Sequence, residues 1–250
     1  MDNMTDNTMD NKKRYKAAIF DMDGTILDTI DDLKDALNYA LAHFGHRADY
    51  TAKETYYFFG SGIRVAAARA LATELGEPLE TVLSIGTPQD HSQVDLNDGS
   101  ITEIIDYYKP YYASHCAIKT GPFPGIPELL QKLARSHIKT AVVSNKVDPA
   151  VKDLCNDYFP GLFDVSIGEM PDVPRKPAPE MLWRALDALG VTASEAVYLG
   201  DTEVDIETAS RAGLDCVCFD WGFRTREQLE VSGAEHIVSS CEELVRYMGV

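Results

Sequence analysis

Residues 16–29, KAAIFDMDGTILDT, decide how this chain is read. The stretch opens on a short apolar run, Ala17, Ala18, Ile19 and Phe20, which breaks into Asp21, Met22, Asp23 and Gly24 where a buried strand would emerge. Two carboxylates thus fall at a strand's exit. In open α/β sheets the crevice beyond the carboxyl ends of the strands is where ligands bind. Two residues apart in an extended chain, Asp21 and Asp23 project to the same side. Like charges that close raise each other's pKa unless a cation or fixed donors offset them, so the pattern asks for a metal ion. An acidic pair at an ordinary surface turn is the plainer alternative, and the Gly24-Thr25 that follows weighs against it.

Downstream, Thr29 with Asp32 reads as a capping box, and Asp31 and Asp32 suit a first turn where the helix dipole favours them. Ile30, Leu33, Leu37, Leu41 and Phe44 recur at helical spacing before Gly45. A second helix fits 61–75, with Ile63, Ala66, Ala67, Ala70 and Leu71 on its apolar face and Gly76 at its end. Residues 86–100 are a polar loop, and a Tyr-rich helix follows over about 101–115. No comparable strand signal occurs between Asp28 and about Ile118. The expected organisation is therefore a polar, disordered tail over 1–14, an α/β core from 15–28 and 116–250, and an all-helical cap over 29–115.

Beyond the cap a βα rhythm takes over. Residues 139–146, KTAVVSNK, form a strand running out into Ser144 and Asn145, and a helix follows over 149–158. The strand at 163–170 leads through PDVPRKPAPE to a helix closed by Gly190. AVYLGDTEVD, 196–205, is strand, acidic turn and helix start. Two short strands and a helix capped by Ser239 or Ser240 complete the chain. Such alternation implies a doubly wound, Rossmann-like parallel sheet covered on both faces.

Composition narrows the function. With 250 residues, 45% of them hydrophobic, the chain can bury a sizeable core. A net charge of -17 argues against nucleic acid and anionic membranes as partners, and means that a phosphorylated substrate needs local positive charge. No run approaches the ~18 apolar residues of a membrane span. The five cysteines are odd in number, lack metal-ligand spacing and read as the reduced thiols of a cytoplasmic protein. Monomer and dimer both remain open.

The polar residues at strand exits are Asp21 and Asp23, Ser144 and Asn145, Arg175 and Lys176, and Asp201 and Asp205. A hydroxyl, a lysine and four carboxylates on one sheet edge make a site for a phosphoryl group and a hard divalent cation. Taken singly, Ser144 also reads as a helix N-cap, Lys176 as a solvated loop charge and Asp205 as a first-turn dipole partner.

Together they resemble the haloacid dehalogenase superfamily, in its phosphoglycolate phosphatase-like branch with a helical cap. DxDGT matches Asp21 to Thr25, the hydroxyl of the second motif matches Ser144, the lysine of the third matches Lys176, and GDxxxD matches Gly200, Asp201 and Asp205. The resemblance implies a Mg²⁺-dependent phosphatase acting on a small phosphorylated metabolite. Asp21 would be its nucleophile and Asp23 its acid and base. It also implies a metal held by Asp21, the Asp23 backbone carbonyl and Asp201, with Asp205 holding a metal-bound water or Lys176. Ser144 and amides near Gly24, Thr25 and Asn145 would bind phosphate.

A halide-removing member would not need Asp23, and a sugar phosphomutase usually differs after the glycine and in the fourth motif. Pyrophosphate, sugar phosphates and nucleotide monophosphates stand behind phosphoglycolate as substrates. From other classes, a phosphoacceptor regulatory domain and a catalytically silent binding protein share the pocket type. A dinucleotide-binding enzyme lacks its G-x-G-x-x-G here. Within the cap, Gly60, Ser61, Gly62 and Arg64 combine backbone freedom, a helix start and a cation, and read either as a substrate-reading loop or as an ordinary helix entry with Ser61 as N-cap and Arg64 in solvent.

Overall fold

A computed structural model describes residues 15–250, so the expected tail at 1–14 lies outside the described residues. The chain starts with β1 (Ala17–Phe20) and β2 (Leu27–Asp28) and then enters five helices. These are α1 (Ile30–His43), α2 (Ala52–Phe58), α3 (Ile63–Glu74), α4 (Leu79–Ser84) and α5 (Gly99–His115). It returns through β3 (Gly121–Pro122), α6 (Ile126–Arg135), β4 (Lys139–Val147), α7 (Asp148–Tyr158), β5 (Val165–Glu169) and α8 (Glu180–Leu189). Then come β6 (Ala196–Gly200), α9 (Glu203–Ala212), β7 (Asp215–Phe219), α10 (Arg226–Val231), β8 (Ile237–Val238) and α11 (Cys241–Met248).

Six strands make one parallel sheet in the order β5-β4-β1-β6-β7-β8. Alternation along β1 sends Ala18 and Phe20 to one face and Ala17 and Ile19 to the other, and all four are fully buried. The first face packs on apolar residues of α6, α7 and α11, the second on α8 and α9. A strand covered on both faces has no polar side to alternate, which is why AAIF is continuously apolar. The sheet winds outward from β1 in both directions, so β1 lies at a topological switch point and its exit opens into a crevice.

The helical segment has its own apolar centre. Ile30, Leu33, Leu37 and Leu41 of α1 pack with alanines 66, 67 and 70 of α3 and with Ile101, Ile104 and Ile105 of α5. Arg69 is 1% exposed within it and donates to the carbonyls of Tyr57, Leu83 and Ile85, joining the ends of α2 and α4. Burial pulls its guanidinium down to about 10. The helix expected over 61–75 is α3, and it begins at Ile63 rather than at 61, because Gly62, with φ of +82°, is its non-helical N-cap.

The capping box expected at the start of α1 does not form. Thr29 makes no side-chain cap bond, and its hydroxyl is buried without a partner. Asp32 turns away to the returning chain instead, accepting hydrogen bonds from the amides of Ile118 (3.1 Å), Lys119 (3.0 Å) and Thr120 (2.9 Å) and from the Thr120 hydroxyl (2.8 Å) on one oxygen. It thereby ties the entrance of the insertion to its exit, beside the β2-β3 ladder. Asp32→Ala strands these donors and is expected to cost roughly 3 kcal/mol in urea unfolding, whereas Thr29→Val costs almost nothing. A loss of about 1 kcal/mol or more in Thr29→Val would reinstate a capping role.

Candidate active site

Three adjacent strands bring the motifs together. Asp21 follows β1, Ser144 and Asn145 lie in the distal part of β4, and Asp201 follows β6. Lys176 arrives from the loop after β5, and its Nζ is 2.8 Å from Asp21 Oδ1 and 2.8 Å from Asp205 Oδ1. The same ammonium donates to the Tyr198 hydroxyl at 3.0 Å, and Tyr198 donates to Asp205 at 2.9 Å. Lys176 is 4% exposed, which removes the reading of it as a solvated loop charge.

Asp205 is saturated. Its second oxygen accepts from the amides of Asp201 (3.2 Å) and Thr202 (3.1 Å) and from the Thr202 hydroxyl (2.7 Å). Despite full burial, Lys176 and these donors hold its carboxyl below the usual range. Asp201 accepts from Thr25 Oγ1 (2.7 Å) and from the Phe223 amide (2.7 Å). Burial, then Asp205 and Asp21, still push Asp201 well above the carboxylate range. Asp21 is likewise pushed up to about 7 by burial, against Lys176, with Asp205 and Asp23 adding to the rise.

These carboxylates fit a divalent cation. One oxygen from each of Asp21, Asp201 and Asp205 lies within 4.8 Å of the others, and the Lys176 ammonium pairs with Asp21 and Asp205 at 2.8 Å each. Asp21 and Asp201 carry an electrostatic cost that a cation would relieve, while Asp205 is already spent on Lys176, Tyr198 and Thr202.

Gly24 and Thr25 serve space and orientation. The Gly24 amide donates to Leu27 O (2.9 Å) and the Thr25 amide to Met22 O (3.3 Å), so neither amide is aimed at a phosphate as the sequence reading expected. At φ of +83°, a Cβ on Gly24 would stand 2.3 Å from Asp201 Oδ2. Asn145 accepts from the Lys176 amide (2.8 Å) and donates to the Lys176 carbonyl (3.1 Å), fixing the loop that carries the lysine. Ser144 is buried, lines the cavity, and accepts from the Lys146 amide (3.2 Å); the N-cap of α7 is Val147 instead.

The cap loop divides. Phe59, Gly60, Gly62 and Ile63 line a cavity of about 410 Å³ shared with Asp21, Asp23, Ser144, Asn145 and Lys176. Arg64 does not face it. Its guanidinium donates to Leu96 O (2.9 Å) and Thr102 Oγ1 (3.1 Å), because the first turn of α3 carries it to the side facing α5. The carbonyl of Ser61 accepts from Arg175 (2.6 Å), and Arg224 donates to the carbonyls of Tyr56 (2.8 Å) and Phe59 (3.1 Å). The two glycines let those arginines approach, since a Cβ on Gly62 would meet Arg175 Nη2 at 1.7 Å. Tyr198, Arg224 and Lys146 escaped the sequence reading as parts of this apparatus. A phenol inside the apolar run AVYLG is the one sequence signal that pointed to a buried polar partner.

A family model described as haloacid dehalogenase-like hydrolase matches residues 18–219. The chain belongs to that family. A relative from Aquifex aeolicus, named phosphoglycolate phosphatase, is 28% identical over 83% of this chain and 86% of its own. One from Cereibacter sphaeroides with the same name is 32% identical over 82% of this chain and 85% of its own. A crystal structure from Lactobacillus delbrueckii subsp. bulgaricus, described as a candidate phosphoglycolate phosphatase, superposes with a TM-score of 0.90 at 46% identity, covering 94% of this chain and 98% of that one. This chain is a phosphatase-type hydrolase of the family, built on its α/β fold.

Proposed function

We propose that the chain hydrolyses a small phosphomonoester, phosphoglycolate-like, through an aspartyl phosphate on Asp21 with Mg²⁺ as cofactor. The observation that carries the reading is the buried cluster in which Asp21, Asp201 and Asp205 each bring an oxygen within 4.8 Å of the others, with the Lys176 ammonium paired to Asp21 and Asp205. Asp21 and Asp201, with the Asp23 carbonyl, would hold the cation, whose chemistry is to offset the charge of the carboxylates and the phosphoryl oxygens. Asp21 attacks phosphorus, and the leaving alkoxide takes a proton from Asp23. Asp23 then removes a proton from the water that opens the aspartyl phosphate. Ser144 and Lys176 bind phosphoryl oxygens, and Asp205 with Tyr198 keeps the Lys176 ammonium at Asp21.

The test is a turnover screen over small phosphomonoesters with Mg²⁺, including phosphoglycolate and pyrophosphate, followed through chelation. A phosphomonoester should be turned over, and chelation should lower both its rate and the melting temperature. At Mg²⁺ near 100 times its dissociation constant the cation should stabilise the fold by about 2.7 kcal/mol. Full turnover after chelation would remove the metal from this reading, and no turnover of any ester would favour the silent binding protein.

A further inference from the structure

The cavity that must hold the organic half of a substrate is walled on its helical side by Leu33, Phe59, Ile63, Tyr108 and Tyr112. At about 410 Å³ it is within the ~300–1,000 Å³ span of small-molecule sites. Lysines 109, 146 and 176 are the cations among its described lining residues. Lys176 is held by Asp21 and Asp205, and Lys109 is exposed to solvent. The arginines nearby are engaged elsewhere: Arg64 with Leu96 and Thr102, Arg175 with Ser61, and Arg224 with Glu203 and cap carbonyls.

Lys146 is different. Its side chain is 5% exposed, and its Nζ forms an ion pair with Asp23 Oδ1 at 3.1 Å, which places the ammonium beside the acid and base at the cavity wall. The ammonium donates to the Tyr112 hydroxyl and sits 4.5 Å from the centre of the Tyr112 ring. An ammonium has three donors, and a buried one is costly unless acceptors meet them. The pairing with Tyr112, which comes from α5, fixes the lysine at the seam between sheet edge and cap.

We infer that Lys146 is a specificity-determining residue that binds an anionic group on the substrate's leaving alcohol, one or two bonds from the ester oxygen, as a carboxylate would be placed in phosphoglycolate. The inference rests on the phosphatase reading and deepens it. Asp23 has to reach the ester oxygen to protonate it, so a charge on the neighbouring carbon comes within reach of an ammonium 3.1 Å from Asp23. Apolar walls leave that attraction poorly screened. A site built to pair a charged group also favours ligands that carry it over analogues that lack it, because the ammonium then gains a further charged acceptor beside Asp23 and Tyr112. Recognition of the second anion thus lies on a core lysine steadied by a cap tyrosine, while the cap loop at 60–62 contributes backbone walls.

The experiment is calorimetric titration with two non-hydrolysable phosphonates in Mg²⁺. In 3-phosphonopropionate a methylene replaces the ester oxygen of phosphoglycolate, and propylphosphonate lacks its carboxylate. Wild type should prefer 3-phosphonopropionate. Lys146→Met should weaken it roughly 10–150-fold more than it weakens propylphosphonate, the range of one charge-assisted hydrogen bond. Equal weakening of both ligands would overturn the inference, since a general disturbance of the site or of Asp23 acts on both. Absence of a wild-type preference would overturn it too, and needs no variant to fold. A wild type that turns over phenyl phosphate but does not prefer the carboxylate ligand sinks this inference alone, whereas one that turns over no phosphomonoester sinks the phosphatase reading.

Discussion

Asp21→Asn is expected to lower turnover of p-nitrophenyl phosphate by on the order of 10⁴–10⁶-fold, the scale seen when a nucleophile is removed from a preorganised site. An amide is a poor nucleophile and a poorer ligand for a hard cation, so both duties proposed for Asp21 fail together. The fold should survive. Burial pushes Asp21 up to about 7, so the folded metal-free chain holds its proton more tightly than the unfolded chain, where the value is 3.8. A group raised in this way stabilises below its unfolded value, and that contribution is lost as pH rises through about 7. Asn resembles the protonated acid and removes this decline, while Lys176 keeps Asp205 as its partner. The variant should therefore unfold in urea at least as late as chelated wild type at neutral pH, with a flatter pH dependence. Activity within tenfold of wild type, or a phosphoryl label still trapped on the variant by acid quench, would remove Asp21 as the nucleophile.

Much of this arrangement was legible because strand exits are legible. An apolar run ending in polar residues marks both the strand and the edge at which its last side chains emerge, so the sequence alone places Asp21, Ser144 and Asp201 on one edge. Relations between side chains were not legible in the same way. Asp32 satisfies the spacing of a capping box, yet three amides and a hydroxyl from 118–120 outcompete the local bond, and nothing in residues 29–32 encodes that return. Arg64 has the charge and position of a substrate reader, but whether it faces the cavity depends on where α3 starts, and Gly62 delays that start beyond position 61. Lys146 shows the reverse case. It reads as one more charge at the end of a strand and becomes prominent only when Tyr112, 34 residues earlier, closes over it.

Asp23→Asn should slow the steady-state reaction by roughly 10²–10⁴-fold, the usual contribution of a positioned acid or base. The loss should divide unequally between the two half-reactions. Asp23 lines the same cavity as Asp21 and keeps 18% of its side chain exposed, so it can face both the departing oxygen and the incoming water. p-Nitrophenolate leaves with little need of a proton, so phosphorylation of Asp21 from p-nitrophenyl phosphate should persist in the variant. Opening of the aspartyl phosphate has no such relief, because water needs a base whichever alcohol has departed. Rapid-quench labelling should then show the phosphoenzyme accumulating and decaying slowly, whereas an alkyl phosphate, whose leaving group needs the acid, should label slowly from the start. Label decay as fast as in wild type would show that some other group deprotonates the water, and Asp23 would retain at most the role of acid.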